Sequence, residues 1–143
     1  MRGVLFGLLA VCVSGCVTIE DVARRDTRVG IAAMAGRFGE ALQEKGRAAA
    51  VADVLTFVTD GMKDPESVRF RKVRVVQYEA GAVVCGEINA KNGYGGYTGF
   101  SPFVAAPSRA VIRRDSHDAV VMGMNWAIFD VCELGDELPE TGR

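Results

Sequence analysis

Between Arg47 and Met62 the apolar positions recur at helical spacing. Val51, Val54, Leu55, Val58 and Met62 share one face, with Phe57 at its edge. Gly61 stands where such a helix would end, and Asp64-Pro65 reads as an N-cap followed by proline at the first helical position, predicting a single turn through Ser67. From Val68 the period changes to two. Val73 and Val75 alternate with Arg74 and Val76 up to Tyr78, Ala80-Gly81 supplies a tight turn, and Ala82 to Asn89 returns with Val84, Gly86 and Ile88 on one face and Cys85 on the other. A glycine-rich loop leads to a third strand from Tyr97 to Val104, which Pro102 marks as an edge or bulged strand. Pro107-Ser108 turns the chain into Arg109–Arg113, and Asp115 to Asp118 turns it again into a strand over Ala119–Met124. Asn125 is placed to cap a short C-terminal helix that contains Trp126, Phe129 and Cys132 and ends at Gly135. The expected fold class is therefore α+β: a helix covering one face of an antiparallel meander sheet of four to five strands, then a short C-terminal helix.

The chain before Arg47 reads differently. Arg2 followed by an apolar run from Val4 to Val13 is too short to span a bilayer as a helix, and matches the layout of a secretory signal. Val13-Ser14-Gly15-Cys16 looks like a bacterial lipobox, by which residues 1–15 are removed and Cys16 is acylated. Ordinary signal-peptidase cleavage after Gly15 is the other reading. Several acyl chains hold a protein on a bilayer essentially permanently. Val17, with no Asp after Cys16, resembles the pattern that sends lipoproteins to the outer membrane, facing the periplasm. Residues 16–47 are polar and rich in small residues. Thr18 and Asp21 suggest a capping box, yet Gly30, Gly36, Gly39 and Gly46 each weaken a helix by about 1 kcal/mol. This stretch is expected to be an interrupted, partly helical tether to a domain at 48–135, with 136–143 a loose acidic tail.

Composition narrows the function classes. The chain has 143 residues, 49% hydrophobic and 24% charged, with a formal net charge of −1. That suits one globular domain and excludes disordered, collagen-like and multi-span membrane chains. The near-neutral balance argues against a nucleic-acid binder. Once Cys12 has left with the leader and Cys16 carries lipid, Cys85 and Cys132 remain as a pair, which in an oxidising compartment is most simply a disulfide. Two separate cysteines and the lone His117 do not have the ligand spacing of a zinc site, so neither metal nor cofactor is expected.

Five of the seventeen glycines fall within residues 85–100. Here the chain resembles a widespread family of small, uncharacterised exported bacterial proteins, many of them lipoproteins. The resemblance rests on Lys63-Asp64-Pro65-Glu66-Ser67 followed by Phe70-Arg71. It continues through Val84-Cys85-Gly86-Glu87, Asn89, Lys91-Asn92, Gly95-Gly96-Tyr97, Gly99-Phe100 and Phe103, covering roughly residues 50–106. It implies export and no particular activity. Within the stretch, Glu87, Asn89, Lys91, Tyr94 and Tyr97 are candidate binding residues, since tyrosines stack on sugars or peptides and the polar groups hydrogen-bond them. The alternative is a hairpin loop whose glycines shape the backbone and whose aromatics join the core.

Catalytic chemistry finds few candidates. Ser116, His117 and Asp118 are adjacent and diverge in direction, so they do not form a triad and read as a solvated turn. Glu87 could be one of a carboxylate pair, but no second member is nominated. The basic run Lys63, Arg69, Arg71, Lys72 and Arg74 reads as the solvated side of a strand. The expected function is a non-enzymatic envelope lipoprotein whose domain binds an envelope protein or glycan. The rivals are an inhibitor presenting the 90–97 loop to a secreted lysozyme or protease, and a small envelope hydrolase using Glu87.

Overall fold

A computed structural model describes residues 17–139. The expected leader, Cys16 and residues 140–143 of the expected acidic tail lie outside the described residues. The chain forms helix α1 (Ile19–Lys45), helix α2 (Arg47–Asp60), a 3-10 turn (Pro65–Ser67), strands β1 (Arg69–Tyr78), β2 (Gly81–Asn89), β3 (Ser101–Ala106) and β4 (Arg109–Ile112), and helix α3 (Ala119–Cys132). The strands make an antiparallel meander in the order β1-β2-β3-β4. The α+β class, the helix preceding the sheet, the 3-10 turn and the Cys85–Cys132 disulfide are as expected.

Several expectations change. First, residues 19–45 are one continuous helix, not an interrupted tether. Its N-terminus carries the full capping box: the Thr18 hydroxyl accepts from Asp21 N–H at 3.1 Å, and the Asp21 carboxylate accepts from Thr18 N–H at 3.1 Å. Thr27, Ile31, Ala35 and Phe38 form a buried stripe, so the helix belongs to the core. Its glycines and alanines allow close approach, and packing outweighs their poor propensity. α1 crosses the end of the sheet that carries the β1–β2 and β3–β4 turns. There Gly81 lies against the backbone of Ala35 and Gly36, and the Arg109 side chain covers Gly30.

Second, there is no fifth strand at 119–124. α3 starts there, capped by Asp118, whose carboxylate accepts from Val120 and Val121 N–H at 2.9 and 3.1 Å. A β-branched run looked like a strand, but an acidic cap and a partner helix decide otherwise. Gly123 sits against the Glu20 carbonyl and Ala23 Cβ of α1, a helix contact that no larger residue fits. Asn125 caps nothing; its side chain donates to the Arg114 carbonyl and accepts from Arg114 N–H, pinning the 113–118 segment to α3. Replacing Asp118 by alanine is expected to cost about 1 kcal/mol, read as a shift in the urea midpoint. The third strand also differs: it spans Ser101–Ala106, since Tyr97 to Phe100 still belong to the loop.

Third, residues 136–138 are not loose. Gln77 N–H donates to the Asp136 carbonyl and Leu138 N–H to the Val75 carbonyl, each at 2.8 Å, so the tail lies along the outer edge of β1. Arg47 holds it there by donating to the carbonyls of Leu138 and Pro139.

Both faces of the sheet are covered. Val76, Val83, Cys85, Val104 and Val111 pack against Ile31 and Ala35 of α1 and Ile128, Val131 and Cys132 of α3. Val75, Val84, Ile88, Phe103 and Ala105 pack against Phe38 of α1 and Ala50, Val54 and Val58 of α2. β2 is buried from Gly81 to Gly86, which explains its near-continuous apolar run. Among the described residues no helix is long and apolar enough to cross a membrane.

Candidate functional site

α3 covers only part of its sheet face and leaves a cleft of about 790 Å³ beside it. One wall is the outer side of α3, with Met122, Trp126, Phe129 and Glu133. The other is formed by the sheet, with Lys72, Arg74, Gly86, Glu87 and Pro102, and by the 113–117 segment. That volume falls within the range of small-ligand sites. Trp126 and Phe129 are each 45% exposed and meet edge to face, with ring centroids 5.9 Å apart, forming an aromatic shelf. Arg24 lies 5.7 Å from the Trp126 ring and is itself paired with Asp130, so the shelf is braced from α1.

A β-bulge supplies the charged rim. Between the pairs Arg71–Glu87 and Arg74–Cys85, β1 has two residues, Lys72 and Val73, where β2 has only Gly86. Lys72 takes φ 53°, and Gly86 lies in close contact with Val73 Cα and the Phe103 ring, so a side chain at 86 would block the bulge. As a result two consecutive cations converge on one acid. Lys72 Nζ bonds Glu87 Oε1 at 2.9 Å and Arg71 Nε bonds Oε2. Arg71 also stacks over Phe100, 4.0 Å from its ring centre. Further along, Arg74 donates to the Cys132 carbonyl at 2.8 Å and pairs with Glu133 at 3.0 Å, tying β1 to the end of α3.

The hydrogen bonds from Lys72 and Arg71 hold the Glu87 carboxyl below its ordinary value of 4.5. Its contribution to stability is fully present above that value and fades as pH falls through the depressed one. A side-chain NMR titration should place its midpoint below 4.5, and Lys72→Ala should move it back up. A carboxylate stabilised this way is a hydrogen-bond acceptor and a poor proton donor.

The five candidate residues do not share one site. Glu87 lines the cleft; Asn89, Lys91, Tyr94 and Tyr97 do not. Lys91 and Tyr97 build the base of the glycine-rich loop. Ser67 Oγ accepts from Lys91 N–H at 2.9 Å, and the Tyr97 hydroxyl donates to the Ser67 carbonyl at 3.1 Å. The stretches around Ser67 and around 91–97 therefore meet in space. Asn92 organises the tip: its Oδ1 accepts from Tyr94 N–H at 2.9 Å and Gly96 N–H at 3.1 Å, while Gly95 takes φ 82°. Tyr94 projects from this turn, 99% exposed. Asn89 Oδ1 is buried with no hydrogen-bond partner in the structure. Among the described residues no group of three metal-ligating side chains occurs.

Trp126, Phe129, Arg113, Arg114 and His117 of the cleft were not legible as site residues. The aromatics were placed only in the expected C-terminal helix, and α3 is apolar on most sides. The available signal was that excess: a helix docked on one side leaves the remaining large apolar residues uncovered. Set against protein-family models, curated proteins and solved structures, the chain finds no match.

Proposed function

We propose that this chain is an exported bacterial envelope lipoprotein, acylated at Cys16 and held on the outer membrane facing the periplasm. Its domain binds another envelope component, protein or glycan, and does not act on it as an enzyme. The cleft beside α3 carries the binding reading: an aromatic shelf faces cationic and polar groups, the combination that orients a sugar or peptide. The buried Cys85–Cys132 bond supports an oxidising compartment. The paired, ionised Glu87 favours binding over acid catalysis.

Trp126 is the only tryptophan, so its fluorescence reports on the cleft directly. Soluble peptidoglycan fragments and envelope peptides titrated into the full chain should shift its emission saturably, and Phe129→Ala should weaken binding by about tenfold. An unchanged emission with every fraction would overturn the cleft reading. Hydrolysis of a fragment by the wild type but not by Glu87→Gln would overturn the non-enzymatic one.

A second reading is favoured by Tyr94, whose ring stands free on a turn stitched by its own hydrogen bonds. A stiff loop with one projecting aromatic suits an inhibitor entering the active site of a secreted lysozyme or protease. Inhibition abolished by Tyr94→Ala would support it, and full enzyme activity at high protein excess would remove it.

A further inference from the structure

We infer that the end of the domain formed by the first turns of α1 and α3 is a seat on the lipid bilayer, so that the domain stands on the membrane in a fixed orientation. This rests on the reading of Cys16 as the acylated residue. Only Val17 lies between Cys16 and the capping residue Thr18. Two residues of extended chain reach about 7 Å, less than the depth of one lipid leaflet. The helix that follows cannot swing. Its first turn is closed by the Thr18–Asp21 box. Glu20 and Ala23 pack against Gly123, and Arg24 is paired with the Asp130 carboxylate, whose side chain is only 6% exposed. Lower down, Ile31, Ala35 and Phe38 are locked in the core. A lipid on Cys16 therefore brings this end of the domain to the surface without a flexible spacer.

The same end exposes apolar side chains beside its acidic ones. Val17 is 72% exposed and Ile19 68%, with Val22 beside them on the helix. α3 runs parallel to α1, since Gly123 faces Glu20 while Asp130 faces Arg24 and Arg28. Val120, one turn before Gly123 and 46% exposed, is thus carried to the same end. Side chains of this kind gain from entering the boundary between headgroups and acyl chains. The charges nearby do not favour an anionic surface: Glu20 and Asp21 occupy the first turn of α1, and Asp118 caps α3. The seat is apolar, so it should need neither acidic lipid nor low salt.

The test uses the full chain, processed in a bacterial host and reconstituted into phosphatidylcholine vesicles with brominated acyl chains. In a Trp126→Phe background, Val120→Trp should lose about half its emission to the bromines, and Glu44→Trp, an exposed position near the far end of the 27-residue α1 and roughly 35 Å from its first turn, should lose almost none. About 0.5 M salt should leave both unchanged. Ile19→Trp in the same background is a second probe at an exposed position, should the substitution at 120 disturb folding. If the protein floats with the vesicles but positions 120 and 19 are no more quenched than 44, the seat is overturned and the anchor stands. If it fails to float and Cys16 has no added acyl mass, the anchor reading falls and the seat with it.

Discussion

Reducing the Cys85–Cys132 bond lowers the stability of the domain by about 4 kcal/mol, a large part of the roughly 5–15 kcal/mol that holds a domain of this size together. The bond closes a loop of sequence separation 47, so its loss returns considerable freedom to the unfolded chain. The position adds to the effect. Cys85 is wholly buried in the most buried strand, and Cys132 ends α3 where Arg74 also grips the helix. Without the covalent link the last turn of α3 relies on that arginine and on the packing of Ile128 and Val131. Urea unfolding with and without reductant measures the loss. A midpoint that barely moves, with no change in slope, would mean that α3 is held by packing alone. Near-ultraviolet dichroism of Trp126 should weaken in the reduced protein even where the far-ultraviolet signal persists.

Gly81→Ala is expected to cost about 3 kcal/mol, since among the glycines of the described residues an added Cβ meets its nearest neighbour at the shortest distance here. A Cβ there falls on the Ala35 carbonyl and within 2.6 Å of Gly36 N, and both are backbone atoms of a helix interior that cannot rotate away. α1 would have to lift from the end of the sheet, pulling Ile31 out of one core cluster and Phe38 out of the other. Gly123→Ala should act in the same way on the α1–α3 contact. Gly36→Ala supplies the control of opposite sign. A Cβ at 36 meets nothing within 4 Å, so the better helix propensity of alanine should stabilise the protein by about 0.5–1 kcal/mol. Thermal melts of the three variants separate loss of close approach from loss of glycine as such.

The sequence was most readable where one local signal decides the structure. The stripe of α2, the Asp64-Pro65 turn, the β1–β2 hairpin and the parity of the two remaining cysteines each declare themselves within a few residues. α1 was harder to read because its buried stripe, Thr27-Ile31-Ala35-Phe38, is half small or polar. Its packing power lies in how closely a partner backbone can approach, which only the partner's own glycine at 81 reveals. The start of α3 was signalled by Asp118, yet the β-branched run after it suggested a strand. Helix geometry there depends on α1 lying alongside. Of the cleft only Glu87 was singled out, since Lys72, Glu87, Pro102, Arg114 and Trp126 come from separate elements and share no spacing along the chain. The glycine-rich loop was legible as a loop; that it leans on Ser67 was not.

The short run of chain after α3 has one more role. By lying along Val75 to Gln77, Asp136–Leu138 occupies donors and acceptors that would otherwise face outward at the rim of a ten-residue strand. The remainder of that rim is interrupted by the bulge and carries Arg69, Arg71, Lys72 and Arg74, while the opposite rim, β4, is only four residues long. A protease clipping after Gly135 would strip this guard and uncover a template onto which a neighbouring molecule could add its own strand. A few residues after α3 thus keep this rim from pairing with the strand of another molecule.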